Sequence, residues 1–123
     1  MKRGDVYVVA LHEPDSINPS HVQAGNRPAI IVQVNDATNA LQTVTLVPLT
    51  GRLKARRFPY SVEVQPSILN ALDRPSVALT HQIVTVDKRD LVRKIGELDS
   101  ADLERLEVAL KGFLGIQVGP AKP

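Results

Sequence analysis

The chain contains no cysteine. That excludes disulfides, thiolate catalysis and any cysteine-ligated zinc site in one step. Aromatic residues are almost as scarce, with Tyr7, Phe58, Tyr60 and Phe113 forming the whole set. A broad platform of rings on which a sheet stacks several bases is therefore excluded. No apolar run approaches the ~20 residues that span a bilayer, so no membrane partner is expected. There is no HExxH or Asp-rich cluster, and His12, His21 and His81 are the only imidazoles; the expectation is no metal and no cofactor. Charge of one sign is not in large excess: the net value of +2 says little about fold. There is no internal repeat and no low-complexity segment. A chain of 123 residues holds one core but not two. The expectation is a single domain over residues 1–116 with residues 117–123 as a tail. Met1-Lys2-Arg3-Gly4-Asp5 leads straight into an apolar run, so no signal peptide and a cytoplasmic location are expected.

What is present is organised around residues 23–34, QAGNRPAIIVQV. A small-residue turn (Ala24, Gly25, Asn26) delivers Arg27. Pro28 then opens a β-branched run, and proline loses no ladder bond at the first residue of a strand. Arg27 is thus expected at the mouth of a buried strand with its guanidinium free. That planar fork matches phosphate and stays charged at any physiological pH. The alternative is a loop arginine in a local salt bridge.

The rest reads as short strands. Residues 5–11, DVYVVAL, are apolar enough for a strand buried on both faces. Residues 12–25 carry turn chemistry throughout. Residues 28–34 form the second strand, 35–42 a polar link and 43–49 the third strand, with Val44 and Leu46 on one face and Thr43 and Thr45 on the other. Residues 52–59, RLKARRFP, put four cations within six residues; such a run is a solvated loop or, beside a phosphate-gripping arginine, a positive groove wall. Residues 60–64 alternate, with Tyr60, Val62 and Val64 inward and Ser61 and Glu63 outward. Residues 65–75 are irregular or helical. Residues 76–80 and 82–86 read as one long strand bent or bulged at His81, and bulges re-aim side chains. A helical turn over 87–94 and a short strand over 94–98 follow. The last element is a helix capped by Asp99 or Ser100, with Leu103, Leu106, Leu110 and Phe113 as its apolar stripe, an exposed Glu107–Lys111 pair and Gly115 at its end. Many short strands and one terminal helix point to an α+β domain built on a small SH3-like antiparallel barrel.

The ordered segments KRGDVYVVAL, QAGNRP, VPLTG, RFPYSVEV and PSVAL-x-x-QI-x-TVDK, closed by an amphipathic helix, resemble the MazF/PemK toxin family over about residues 2–115. The resemblance implies the CcdB/PemK-type barrel. It implies a cytosolic endoribonuclease that cleaves single-stranded mRNA at specific sequences, without a metal, using the RNA's 2′-hydroxyl as nucleophile. A cognate antitoxin and homodimerisation are also implied. Arg27 matches the arginine of the family's G-x-R-P motif and Thr50 the threonine closing the third strand, both linked to catalysis. Gln23 and Gln82 match glutamines of the loop and of the later strand. Val22 and His81 stand where many members carry an acid.

Within that reading, Arg27 stabilises charge developing on phosphorus, Thr50 donates to a phosphate oxygen, and His81 is a third catalytic candidate because imidazole exchanges protons near neutrality. The other reading of His81 is a partly buried histidine satisfying backbone at the bulge. Asn26, Arg52, Lys54, Arg56, Arg57 and Phe58 join Gln23 and Gln82 as RNA-binding candidates, with Phe58 the better stacking ring because Tyr60 points inward. His12 is structural and His21 a solvated loop residue. Two other functions remain open. CcdB shares the fold and poisons DNA gyrase, and a decayed toxin would bind nucleic acid or antitoxin without cutting. The Arg27–Thr50 pair belongs to the ribonuclease branch.

Overall fold

The computed structural model describes residues 1–11 and 25–117. Its strands are β1 (Asp5–Leu11), β2 (Gly25–Ile31), β3 (Thr43–Thr50), β4 (Val62–Val64), β5 (Ser76–Ala78), β6 (Val84–Asp87) and β7 (Leu91–Glu97). The helices are α1 (Asn35–Ala40) and α2 (Ser100–Leu114), with 3-10 turns at Leu53–Arg57, Thr80–Gln82 and Lys88–Asp90. Hydrogen bonding orders the strands β4-β5-β3-β2-β1-β7, with β6 also on β3. Each pairing is antiparallel. The expected α+β architecture with a terminal helix is present, but the pairing does not close into a ring: β4 and β7 lie at the two ends of the order.

Alternation along the strands separates two faces. Val6, Ile30, Val47, Leu49, Val64 and Ala78 point to one side, where Leu106 and Leu110 of α2 complete the larger core. Val9, Ala29, Ile31, Val44 and Leu46 form a second cluster on the other side. α2 starts where Asp99 accepts a bond from the Asp102 N–H at 2.8 Å. It stops at Gly115, whose φ of 71° lets the chain turn back so that the Ile116 N–H reaches the Lys111 carbonyl at 2.9 Å. Phe113, expected in the buried stripe, is 39% exposed. Glu107, expected to pair with Lys111, bonds the Arg3 side chain at 2.9 Å, tying α2 to the N-terminus.

Several expectations are corrected. The second strand begins at Gly25 and ends at Ile31, so Pro28 lies in mid-strand and Arg27 within it rather than at its mouth. Residues 35–40 of the expected link coil into α1, where Thr38 is buried and its Oγ1 donates to the Val34 carbonyl. β1 is not buried on both faces, since Tyr7 and Val8 are only half-buried. The expected helical turn over 87–94 shortens to Lys88–Asp90, and β7 begins three residues early at Leu91. The basic run is not a plain loop but a 3-10 turn whose Ala55 is buried.

Two prolines set where ladders stop. The Ile31 carbonyl accepts from Gly4 on the β1 side, and the Val32 N–H donates to Thr45 on the β3 side. By alternation, Pro28 turns its nitrogen toward β3, and the β2–β3 ladder ends at Ala29↔Pro48. Pro48 in turn faces the other edge of β3. There the register passes from Leu46↔Val84 on β6 to Leu49↔Ala78 on β5, a shift of three residues. Those three are the Thr80–Gln82 turn. The expected bend at His81 is therefore a three-residue excursion opposite a proline that has no N–H to offer.

Asp5 anchors the N-terminal end of β1. Its side chain is 1% exposed and its carboxylate takes Lys2 Nζ at 2.9 Å and Lys94 Nζ at 3.3 Å, and also the Lys2 backbone N–H at 2.8 Å. Burial pushes this carboxyl up, but the Lys2 side-chain and backbone bonds and Lys94 outweigh it, and the group sits below the usual carboxylate range. A carboxyl depressed in the folded state contributes stability above its unfolded value and loses it as pH falls through the folded one. Asp5→Asn is expected to cost about 1–3 kcal/mol at pH 7. Urea melts at pH 7 and pH 3 check this: the gap between wild type and variant should narrow in acid, and a constant gap would refute it.

Candidate nucleic-acid interface

Arg27 and Thr50 meet through register. Continuing the β2–β3 pairing two residues past Ala29↔Pro48 brings Arg27 level with Thr50. Thr50 pairs with Val77, and Val77 with Glu63. Arg27, Thr50, Val77 and Glu63 thus form one row across β2, β3, β5 and β4, on the face opposite α2. Arg27 is exposed, whereas Thr50 is buried at 9% relative exposure. The Thr50 Oγ1 accepts the Arg52 N–H at 3.2 Å, so the basic turn starts from the threonine itself. Using the lone pair in this way leaves the hydroxyl proton to donate elsewhere.

The basic turn lies on the same face. Ala55 packs with Val77 and Leu79, and Val77 is the cross-strand neighbour of Thr50. With its apolar residue held down, the turn raises Lys54, Arg56 and Arg57 into solvent around an open cleft of about 440 Å³ that they line with Leu53. Arg56 is partly neutralised by Glu63 at 3.6 Å. Arg57 lies 5.5 Å over the Phe58 ring, and the Phe58 ring lies 4.6 Å from that of His81. Arg57, Phe58 and His81, the two rings tilted by 46°, therefore form a chain of contacts that links the basic turn to the excursion opposite Pro48. The His81 Nδ1 is buried and has no hydrogen-bond partner among the described residues. The reading of His81 as a residue satisfying backbone is not supported at that atom.

The family model for the PemK-like, MazF-like toxin of type II toxin-antitoxin systems matches residues 2–114. The chain belongs to this family. A curated relative from Staphylococcus saprophyticus, named endoribonuclease MazF, is 33% identical over 116 residues, covering 94% of this chain and 92% of that protein. Among solved structures, a mycobacterial endoribonuclease in complex with its cognate antitoxin superposes with a TM-score of 0.73 at 24% identity, covering 97% of both chains. MazF from Deinococcus radiodurans gives 0.74 at 21% identity, covering 94% of this chain and 96% of that one. At such identities the structures speak for the fold. No helix among the described residues is long and apolar enough to cross a membrane.

Within this toxin-family fold, the site residues expected from sequence fall into groups. Arg27, Thr50, Arg52, Lys54, Arg56 and Arg57 share the face opposite α2 or its rim, and Phe58, His81 and Gln82 flank it, whereas Asn26, next to Arg27 in β2, alternates to the other face. Gln23, with Val22, His12 and His21, lies outside the described residues. One further cation and one corrected ring complete the surroundings. Arg74 lies against Gly51, where a Cβ would stand 2.7 Å from the Arg74 Cδ, adding a cation next to Thr50. Tyr60 is not inward but 50% exposed, with φ at 63°. Pro75 after Arg74 is a signal that residue 74 is extended; the alternation of residues 60–64 carried none for Tyr60.

Proposed function

We propose that the protein is a sequence-specific endoribonuclease toxin that cleaves single-stranded mRNA and is neutralised by a cognate antitoxin. The observation that carries this is the row placing Arg27 level with Thr50 beside the basic turn. The S. saprophyticus relative's name supports it. In this reading the RNA 2′-hydroxyl loses its proton and attacks the adjacent phosphorus. The bond to the 5′-oxygen breaks, that oxygen gains a proton, and the products are a 2′,3′-cyclic phosphate and a 5′-hydroxyl. Arg27 offsets the charge that builds on the phosphoryl oxygens, where a fixed cation is worth several kcal/mol. Thr50 donates to one of those oxygens. His81 is the imidazole assigned to exchange the proton. Phe58 stacks a base and Asn26, Arg52, Lys54, Arg56, Arg57, Gln23 and Gln82 hold the strand.

The antitoxin fits the same surface. An acidic, disordered segment that orders on binding would cover Arg27 and the Arg52–Arg57 wall. The solved complex with a cognate antitoxin supports a partner of this kind. We also read the active protein as a cytoplasmic homodimer. The test is to incubate purified protein with mixed-sequence single-stranded RNA in EDTA. Cleavage at a short recurrent site with cyclic phosphate ends, abolished by antitoxin, is the expected outcome. Intact RNA across several sequences would overturn the nuclease reading, and cutting that continues in the antitoxin complex would overturn the shared surface.

A further inference from the structure

Phe58 opens the turn Phe58-Pro59-Tyr60-Ser61, closed by the Ser61 N–H on the Phe58 carbonyl at 3.2 Å. Proline in its second place and a φ of 63° in its third give the pattern of a type II turn, whose third residue is usually glycine. A tyrosine there is strained, and such strain persists where the surroundings over-determine it. One determinant comes from across the sheet. Continuing the β4–β5 register two residues past Val62↔Ala78 sets Tyr60 level with Thr80. The ladder has ended there, and the Thr80 side chain supplies the cross-link instead: its Oγ1 donates to the Tyr60 carbonyl at 2.8 Å. Thr80 is fully buried and opens the turn that the Ile83 N–H closes on the Thr80 carbonyl at 3.2 Å. The next residue in that turn, His81, carries the ring that meets Phe58 with centroids 4.6 Å apart. The two turns therefore touch twice, through the Thr80 hydroxyl and through the Phe58 and His81 rings. Burial alone does not call for this residue. A fully buried position is ordinarily filled by an apolar side chain, and valine has the same shape without a hydroxyl that needs an acceptor.

We propose that Thr80 is a positioning residue for the reaction: its bond to Tyr60 holds the Phe58 ring against the His81 imidazole, so that both meet the RNA in one fixed arrangement. The inference rests on the nuclease reading above. Thr80 is buried and acts only through these two neighbours. Without the bond, Phe58 must lose added freedom before it stacks a base, which weakens binding. An imidazole out of place slows proton exchange, where a displacement of about 1 Å costs up to about 10²-fold. A threonine that only filled its site would affect stability and neither of these.

Thr80→Val keeps the shape and Thr80→Ala adds no bulk, and both remove the hydroxyl; Thr80→Ser keeps it. At a temperature where all are folded, Thr80→Val and Thr80→Ala are expected to raise KM for RNA about 3- to 10-fold and to lower kcat about 10-fold. Thr80→Ser is expected to recover most of both. The ring contact is read without RNA. The Phe58 ring current displaces the NMR shifts of the His81 imidazole protons, and Phe58→Leu gives their undisplaced values. Thr80→Val is expected to move those shifts most of the way to the Phe58→Leu values, and Thr80→Ser to hold them at wild type. If Thr80→Val and Thr80→Ala lose stability but keep the His81 shifts, KM and kcat, Thr80 is structural only and the proposal is overturned. If Thr80→Ser loses as much as Thr80→Val, the hydroxyl is not the cause and the proposal is again overturned. If the wild type leaves RNA intact, the nuclease reading fails by itself, and the His81 shifts in Thr80→Val still uphold the coupling by moving or overturn it by staying.

Discussion

Replacing Arg27 by alanine is expected to reduce RNA cleavage by about 10²–10³-fold, with little change in stability. The two halves of that expectation have separate causes. Residue 27 is exposed, and the core on its face begins at Ala29; a surface substitution of this kind moves stability by no more than about 0.5 kcal/mol. The activity loss comes from what the guanidinium faces. It lies level with Thr50, at the end of a ladder that Pro28 stops from closing. The cation is therefore held by a rigid strand while its neighbouring backbone is open to a ligand. Loss should fall mainly on kcat, because charge on the phosphoryl oxygens rises toward the transition state. Arg27→Lys keeps the charge but loses the fork and is expected to recover only part of the rate. Single-turnover cleavage with saturating protein measures the step directly. A variant that cuts within a factor of three of wild type would remove Arg27 from the reaction.

The fold was legible where the sequence carried periodicity. Strand β3 alternates Thr43, Val44, Thr45 and Leu46, and the burial follows. α2 carries a cap, a stripe and a glycine stop, and all three operate. Strand limits are less legible because Pro28 reads as a strand start. Pro28 suggests a strand beginning at residue 28, yet β2 begins at Gly25 and pairs with β1 from Gly25 to Ile30. Proline is tolerated there because only its β3-facing side lacks a donor, and the β3 ladder has already ended. Pro48 acts on the other edge in the same way, and its effect appears some thirty residues later as the turn holding His81. A local reading of either proline cannot see the partner strand that lacks its bond.

The site was legible as a set of residue types and less so as an arrangement. Arg27 and Thr50 stood out as fork and hydroxyl, but only the β2–β3 register sets them level. The basic turn reads as a loop because its anchor is one alanine, Ala55, under Val77 and Leu79. Tyr60 was misplaced because alternation was extended two residues past β4, which begins at Val62. Beyond a strand's end the period of two has no ladder to enforce it.

Gly96→Ala is expected to destabilise the protein by about 2–4 kcal/mol, the largest effect of an added methyl among the described glycines. The φ of Gly96 is not positive, so alanine can adopt the backbone and the cost isolates a contact. An added Cβ would stand 2.5 Å from the Leu69 carbonyl oxygen and 2.7 Å from the Asn70 carbonyl carbon and oxygen. All three are backbone atoms, so no rotamer change relieves the overlap. The loop carrying them is itself pinned. Asn70 is 1% exposed, its Nδ2 donates to the Gln65 carbonyl at 2.9 Å, and its Oδ1 accepts the Ser67 and Leu72 N–H groups at 3.0 Å. The Glu97 N–H donates to the Leu69 carbonyl at 3.1 Å, the bond the new methyl would push apart. Gly112→Ala is the internal comparison, because its Cβ meets the end of a ring that can swing away. Denaturant melts should therefore separate the two alanines, with Gly96→Ala far less stable and Gly112→Ala close to wild type or above it. Equal midpoints would mean that the 65–75 loop yields as easily as the Tyr60 ring.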